Sequence, residues 1–512
     1  MHNYPALSYA DDLERNARWH KDHPAYVQGD RQITHGQLLS RAKQLGSALY
    51  AHGVRNQDRV GILAMNSIEY GEVIAATQWS GFILSTVNFR LAPPEMAWII
   101  NDGGPKVLFF EAQYWDAIEQ IRDELESVET FVCIDGDTQH QADWLQQYDA
   151  FINSGSPEGP PCRAKEEDIF CLIYTSGTTG RPKGCIWGHR EMRQLMQVDA
   201  WLADMQQADK AMIVMPMFHL GGLVIGGSQH VRGGTNYLYR EFDAEAIIKG
   251  IEQHQLSFLL LAPTMVQMLL ESPSIATANL TSVRMLMYSA APMPIEVFDG
   301  CGFVNLFGQT EICMFCLSSE QHKPNGTEQE RKQLTSVGQP YPNLQARILD
   351  EDGNEVAEGE AGEIVARSGA MFRGYWNNSK ATIETLRDGW VHSGDMGRIE
   401  DGFLYLVDRK KDMIISGGEN IYSREVEEAV IQHEAVSECA VIGLPDPKWG
   451  ENVCAVVTLK PNETASEQGI IDHCKALIAS YKKPKRVIIA NELPKLVTGK
   501  VNKVALRTLY PN

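Results

Sequence analysis

The sequence predicts an α/β protein: a large N-terminal domain (1–408) of two parallel-type α/β layers plus a small β-barrel at about 340–408, and a small mobile α+β domain over 409–512. Three observations predict it. Over the first two thirds of the chain, short apolar runs alternate with helix-like patterns, as βαβ units do. After about Leu344 the runs shorten and Asp-Gly turns separate them, which is hairpin and small-barrel chemistry. Beyond the charged run Asp408-Arg409-Lys410-Lys411-Asp412, helices and strands mix again in a stretch of ordinary domain size.

Taken in order, Arg59–Met65 reads as a buried strand and Ile68–Trp79 as a helix. Lys106–Phe110, Thr130–Ile134, Ala211–Met215 and Ser257–Leu261 read as further strands, the last ending at Pro263. Runs this apolar are buried on both faces, so they belong to parallel sheets covered by helices. Gln345–Leu349 and Gly362–Ala366 are short strands among the turns Asp352-Gly353, Asp388-Gly389 and Asp401-Gly402. The last domain reads as helix Ser423–His433, strand Cys439–Gly443, antiparallel strand Asn452–Leu459 and helix Glu467–Ile478. The charged run between the two patterns reads as a hinge.

Composition excludes several classes. With 44% hydrophobic and 22% charged residues, 512 residues can fill more than one core, so disorder is excluded. There are 66 acidic against 46 basic residues, which lacks the basic footprint of a nucleic-acid binder. The imbalance is local: from Lys482 onward eight basic residues face one acidic residue, Glu492. That cationic tail suits a polyanionic small molecule, although a solvated tail would look alike. Ten scattered cysteines read as reduced thiols, and the lone Cys313/Cys316 pair lacks the partners of a zinc site. The N-terminus has no basic region followed by an apolar run, and the most apolar stretch, Ala211–Gly227, is broken by Pro216, His219 and paired glycines. A cytoplasmic protein with no integral membrane association is expected.

The segment with most chemical content is Tyr174-Thr175-Ser176-Gly177-Thr178-Thr179-Gly180-Arg181-Pro182-Lys183-Gly184, after an apolar strand and before a helical pattern at His189–Met205. Its glycines let the backbone approach a ligand and turn N–H groups toward it. Its hydroxyls and two cations add donors, as phosphate transfer requires. It is not the GxxxxGK[ST] loop of P-loop enzymes.

This loop resembles the signature of the adenylate-forming superfamily of acyl-CoA synthetases, aryl-CoA ligases, luciferases and peptide-synthetase adenylation domains. Further motifs of that family stand in the same order along nearly the whole chain. They are Tyr288-Ser289-Ala290-Ala291-Pro292, Phe307-Gly308-Gln309-Thr310-Glu311, His392-Ser393-Gly394-Asp395 and Asp408–Asp412. Ser416-Gly417-Gly418-Glu419-Asn420-Ile421 and Pro494-Lys495-Leu496-Val497-Thr498-Gly499-Lys500 complete the set.

The resemblance implies an AMP-forming ligase that joins a hydrophobic carboxylic acid to ATP as acyl-AMP and passes the acyl group to coenzyme A, with Mg²⁺ as cofactor. It assigns nucleotide binding to Thr175, Ser176, Gly177, Thr178, Thr179, Gly180, Lys183, Ala290, Ala291, Gln309 and Thr310. Asp395 and Arg409 are similar to the family's ribose-binding pair. Glu311, with Thr178, resembles the metal site; Lys500 is similar to the lysine that bridges carboxylate and α-phosphate. Taken singly, Glu311, Asp395 and Arg409 would read only as a helix start, a turn and a surface charge. Family members rotate the small domain about a residue matching Lys411 before the thiol attacks. Gly417 and Gly418 would then face the pantetheine arm, and Tyr481, Lys483 and Lys485, with Arg90 on the large domain, resemble a CoA-nucleotide site. His219, in Met215-Pro216-Met217-Phe218-His219, resembles the histidine near the substrate carboxylate. Leu220, Gly221, Met217, Met314 and Phe315 would line an apolar acyl pocket for a medium- to long-chain, cyclic or aryl acid. A monomer or homodimer is expected, with small-molecule partners. The competing readings are an acyl-AMP ligase that loads a carrier protein and a non-catalytic nucleotide-binding regulator.

Overall fold

The helix Ile68–Ser80 is buried on every side: all of its residues except Glu69 are buried. A helix of this kind has to be covered all round. It packs on strand Pro24–Gln28 of one sheet and on Ile83–Thr86 of another, so two sheets share it as a common layer. Ser67 starts the helix by accepting the Tyr70 N–H at 3.0 Å. Gly81, at φ +78°, ends it in the left-handed conformation that glycine takes at little cost.

These relations come from a computed structural model that describes residues 7–136, 142–175, 181–289, 301–318, 320–323, 325–416, 419–495 and 501–511. One sheet has nine strands, in the order Gln339–Pro340, Ile312–Leu317, Gly302–Gln309, Met285–Ser289, Phe258–Leu260, Lys210–Ile213, Thr235–Leu238, Pro24–Gln28 and Arg31–Thr34. Its interior pairings are parallel and its outer pairings antiparallel. The other has seven strands: Leu145–Gln147, Thr130–Cys133, Val107–Phe110, Arg59–Leu63, Ile83–Thr86, Ile169–Tyr174 and Gly184–Gly188. All its pairings are parallel except the last, a hairpin.

The glycine–hydroxyl loop follows an apolar strand and precedes a helix at His189, as expected, but a further strand that the sequence did not signal lies between loop and helix. Gly184–Gly188 is a strand, and the helix His189–Leu202 follows it. The loop therefore connects two antiparallel partners, closed where Tyr174 pairs with Gly184. Five residues were too few to signal a strand without its neighbour.

Packing divides the described residues into two units, one of those up to 345 together with 367–391, the other of those at 346–366 and from 392 onward. The expected boundary at 408/409 differs from this division, because the strand ending at Glu400 is laddered to Phe403–Arg409 and Asp408 accepts both the backbone N–H and the hydroxyl of Ser423. A five-stranded sheet (Leu344–Leu349, Gly362–Ser368, Leu386–Arg387, Trp390–Glu400 and Phe403–Arg409), antiparallel where Trp390–Glu400 pairs with Leu386–Arg387 and with Phe403–Arg409, forms over the span expected for the small barrel. The second unit also holds a sheet in which Gly450–Leu459 pairs antiparallel with Val436–Asp446 and parallel with Arg486–Ile489. Helices Ser423–Ile431 and Glu467–Leu477 cover it over a core that includes Ile414, Val426, Val441, Val457 and Ile470. Among the described residues no helix is long and apolar enough to cross a membrane.

Candidate active site

In the first unit, the hairpin that carries the glycine–hydroxyl loop is pinned at its mouth. Thr175 donates its N–H to the Lys183 carbonyl at 3.0 Å, so these two residues face each other across the loop's base. Ser176, Gly177, Thr178, Thr179 and Gly180 lie outside the described residues. On the returning strand, Trp187 donates its indole N–H to the Thr310 carbonyl at 2.9 Å. That contact ties the root of the loop to a second hairpin, in which Gln309 pairs with Ile312 and Thr310-Glu311 form the turn.

Glu311 is thus on a β-turn, not at the helix start that the residue alone would suggest. It is 7% exposed. Its Oε1 accepts the Tyr375 hydroxyl at 2.5 Å, and its carbonyl accepts the Phe372 N–H at 2.8 Å. Burying a carboxylate is costly unless donors face it, and Tyr375 is one such donor. The Lys183 ammonium lies 4.3 Å from the centre of the Tyr375 ring. Burial and the Glu311 charge both push the Tyr375 phenol well up, so it stays a donor. A buried carboxylate is a hard oxygen donor of the kind that fits a divalent ion such as Mg²⁺. Tyr375 was missed in the sequence; its one signal is the aromatic–asparagine run Gly374-Tyr375-Trp376-Asn377-Asn378.

His219 caps the helix Leu220–Val231, its Nδ1 accepting the Gly221 N–H at 3.2 Å. A neutral ring accepting there carries its proton on Nε2. The segment before it is held by Asn66, a buried residue with no sequence signal. Its amide donates to the carbonyls of Ile213, Met215 and Tyr239 at 3.0–3.2 Å and accepts the Met217 N–H at 2.8 Å. Gly222 has a steric reason: a Cβ there would sit 2.3 Å from the Pro216 carbonyl oxygen. Of the expected acyl-pocket residues, Met217, Leu220, Met314 and Phe315 are all buried. Met314 occupies a bulge, since Phe307 pairs with Phe315 and Gly308 with Cys313. Bulges re-aim side chains, and this one lies three residues from Glu311. Ala290 and Ala291 lie outside the described residues. Arg90 is exposed, its guanidinium 5.3 Å over the Phe89 ring.

In the second unit, Asp395 and Arg409 are direct cross-strand partners, with Arg409 Nε 3.1 Å from Asp395 Oδ1. The Asp395 side chain is 8% exposed and that of Arg409 44%, so the pair presents a shielded acceptor beside an accessible cation. The end of the ladder beside the pair is buttressed by Glu363, which takes Lys410 at 3.0 Å and His392 at 3.4 Å. Burial alone would raise the Glu363 carboxyl, but Lys410 and His392 hold it below its ordinary value. Lys411 is exposed in the turn between Phe403–Arg409 and Ile414–Ser416. Gly417, Gly418 and Lys500 lie outside the described residues.

The basic run near Tyr481 is not uniform. Lys482 is committed to Glu425 at 2.7 Å, whereas Tyr481 is 48% exposed. Lys485 lies 4.5 Å over the ring of Trp449, itself 43% exposed, and Lys448 lies 4.9 Å from the same ring. Asp446 presents Trp449 by accepting the backbone N–H groups of Lys448 and Trp449, each at 2.8 Å, and Gly450 completes the turn at φ +79°. Trp449 was missed in the sequence because its lysine neighbour is 36 residues away.

The profile described as AMP-binding enzyme matches residues 13–376, and that described as AMP-binding enzyme C-terminal domain matches residues 425–500. The chain is 33% identical to an indoleacetate–CoA ligase of Aromatoleum aromaticum over 98% of both chains. It is 31% identical to a fatty acid–[acyl-carrier-protein] ligase, ScoC, of Streptomyces coeruleorubidus, over 97% of this chain and 96% of that one. Among solved structures, a Mycobacterium tuberculosis fatty acyl CoA synthetase superposes with a TM-score of 0.78 at 31% identity over 98% of each chain. With its glycine–hydroxyl hairpin, its turn-borne Glu311 and its paired Asp395 and Arg409, this chain belongs to the AMP-binding enzyme family.

Proposed function

We propose that the protein is an AMP-forming acyl-CoA synthetase acting on a hydrophobic carboxylic acid, of the medium- to long-chain fatty, cyclic or aryl class. One observation carries the reading: the root of the phosphate-type loop and a buried, donor-held carboxylate share one corner, through Trp187–Thr310 and Tyr375–Glu311.

In the first half-reaction a substrate carboxylate oxygen attacks the α-phosphorus of ATP, and the bond to pyrophosphate breaks. Two anions meet, so positive charge and N–H donors have to surround them. The loop Thr175–Gly180 and Lys183 would hold the phosphates, with Gln309, Thr310, Ala290 and Ala291 around the nucleotide. Glu311 and Thr178 would hold Mg²⁺, which supplies charge neutralisation at the phosphates when bound. Asp395 would accept ribose hydroxyl protons, and Arg409 would add a donor beside it. His219, with its proton on Nε2, would orient the acid, and Lys500 would bridge carboxylate and α-phosphate. In the second half-reaction the CoA sulfur attacks the acyl carbon and AMP leaves. Lys411, exposed in its turn, is the pivot this reading assigns, with Gly417 and Gly418 along the pantetheine arm. The Tyr481, Lys483 and Lys485 surface, extended by Trp449, offers aromatic faces and cations to a phosphorylated adenine nucleotide. Arg90 is the large-domain candidate for the same group.

Similarity to ScoC favours a second reading, in which the acceptor is a carrier-protein thiol. One assay separates the readings: AMP release from ATP, Mg²⁺ and a panel of apolar acids, with and without CoA. CoA-dependent thioester supports the synthetase. Adenylate that CoA does not discharge supports the carrier-protein ligase. No pyrophosphate exchange with any acid would leave only a nucleotide-binding regulator.

A further inference from the structure

We infer that Tyr375 is a positioning residue for catalysis: its hydroxyl fixes the Glu311 carboxylate so that one oxygen stays committed to protein and the other is presented to a divalent cation. This rests on the reading of Glu311 as the metal-holding carboxylate.

The side chain of glutamate ends in a torsion with a broad, roughly two-fold preference, so an unsupported carboxylate on a turn samples many orientations. Glu311 is supported from three sides. Phe372 holds its carbonyl, Trp187 holds the carbonyl of Thr310 before it, and Tyr375 holds Oε1. The first two fix only the backbone of the turn. Tyr375 alone among these three reaches the carboxylate, across 64 residues of sequence. A carboxylate has about four acceptor positions, of which the Tyr375 hydroxyl fills one and the buried Cys185 thiol another, so acceptor positions remain for a cation. Both groups are buried, Tyr375 at 5% exposure and Glu311 at 7%, so water competes little for the bond.

Tyr375 is itself anchored apart from its hydroxyl. Its N–H donates to Thr382 Oγ1 at 2.8 Å, its ring meets Phe372 edge-on at 5.0 Å, and the Lys183 ammonium rests over its face. Removing the oxygen should therefore leave ring, backbone and lysine in place and release only the carboxylate.

Tyr375→Phe tests this with Mn²⁺ as the probe, bound in the presence of ATP and followed by electron paramagnetic resonance. A hydrogen bond to a charged group sets the scale, so the Mn²⁺ dissociation constant is expected to rise about 10-fold or more. Pyrophosphate exchange should fall by a similar factor and recover partly at high Mg²⁺, with the thermal midpoint little changed. Unchanged Mn²⁺ binding overturns the inference, as does an equal loss when Tyr375→Phe is placed in a Glu311→Gln background, where no ionised carboxylate is left to orient. Tyr375→His restores an N–H donor on a smaller ring; affinity above that of the phenylalanine variant supports the inference, and equality with it counts against it. Should the phenylalanine variant not fold, Tyr375→Leu takes its place, and wild-type Mn²⁺ affinity in that donor-free variant overturns the assignment. Glu311→Gln alone tests the underlying reading: if it leaves Mn²⁺ binding intact, Glu311 is not the ligand, whatever Tyr375 does.

Discussion

The two units each carry a buried candidate carboxylate, and these are held in opposite ways. Asp395 is oriented by its own ladder, in which Arg409, fourteen positions on, is its cross-strand partner. Glu311 sits on a turn whose supports come from Trp187, Phe372 and Tyr375, in segments far from it in the chain. A ladder pair forms whenever its hairpin forms. A three-segment corner forms only when the sheets around it are complete. The ribose-type pair should thus tolerate damage elsewhere, while the metal-type corner should report on the fold of its whole unit.

The largest effect should come from neither carboxylate. Lys500→Ala should lower pyrophosphate exchange by about 10³-fold, the scale of losing a donor to developing charge. Thioester formation from supplied acyl-AMP should remain within a few-fold of wild type, because in the proposed reading the lysine serves adenylate formation only. Equal loss of both steps would remove the division of labour between half-reactions. Lys411→Pro should do the reverse, with thioester formation reduced about 10²-fold at retained exchange, since a fixed φ stiffens the turn between the two strands.

Asp395→Asn sharpens the comparison directly. We expect the KM for ATP to rise about 10- to 100-fold, as for a lost hydrogen bond to a charged acceptor. The thermal midpoint should hardly move, because an ion pair whose arginine is half-exposed adds little stability. A large drop in midpoint would mean that Asp395 is structural and that the contrast with Glu311 fails. Trp449→Ala should raise the KM for CoA about 10-fold, the scale of one aromatic–base stack, with exchange unaffected. An unchanged KM would take Trp449 out of the nucleotide surface.

The smallest effect is on stability in acid, and it should fall on the unit that carries Glu311. Burial, together with His230 and other neighbours, depresses His35 to about 3; burial and Arg373 depress His189 to about 3; burial depresses His230 to about 4. An unfolded histidine titrates near 6.5 (about). Below that pH the unfolded chain binds protons that the folded chain does not, so the stabilisation present above about 6.5 is lost as pH falls toward about 4. Melting curves at pH 7 and pH 5 should differ by several degrees (about 5), and His35→Gln should flatten that slope. A midpoint independent of pH over this range would show that these rings are already solvated.

Much of the fold was legible in the sequence, for reasons visible in particular elements. The strands at Arg59–Leu63 and Phe258–Leu260 are continuous apolar runs, and the helix at Ile68–Ser80 is bracketed by Ser67 and Gly81. The strand Gly184–Gly188 was not legible, since five residues between a loop and a helix show no period. In the site, Glu311, Asp395 and Arg409 were found through motifs. Asn66, Tyr375 and Trp449 were not, because each owes its role to a neighbour that the sequence does not place beside it.

Alone, then, the sequence determined which segments become strands and helices, because apolar period and end-capping are local properties of the chain. It also determined the set of chemical groups, because motif residues are there whatever the fold does. Only the tertiary structure decided that Tyr375 meets Glu311, that Trp187 closes over Thr310 and that Trp449 lies beneath Lys485. Those contacts join segments dozens of residues or more apart, and which distant donor reaches which buried acceptor is settled by sheet order and register.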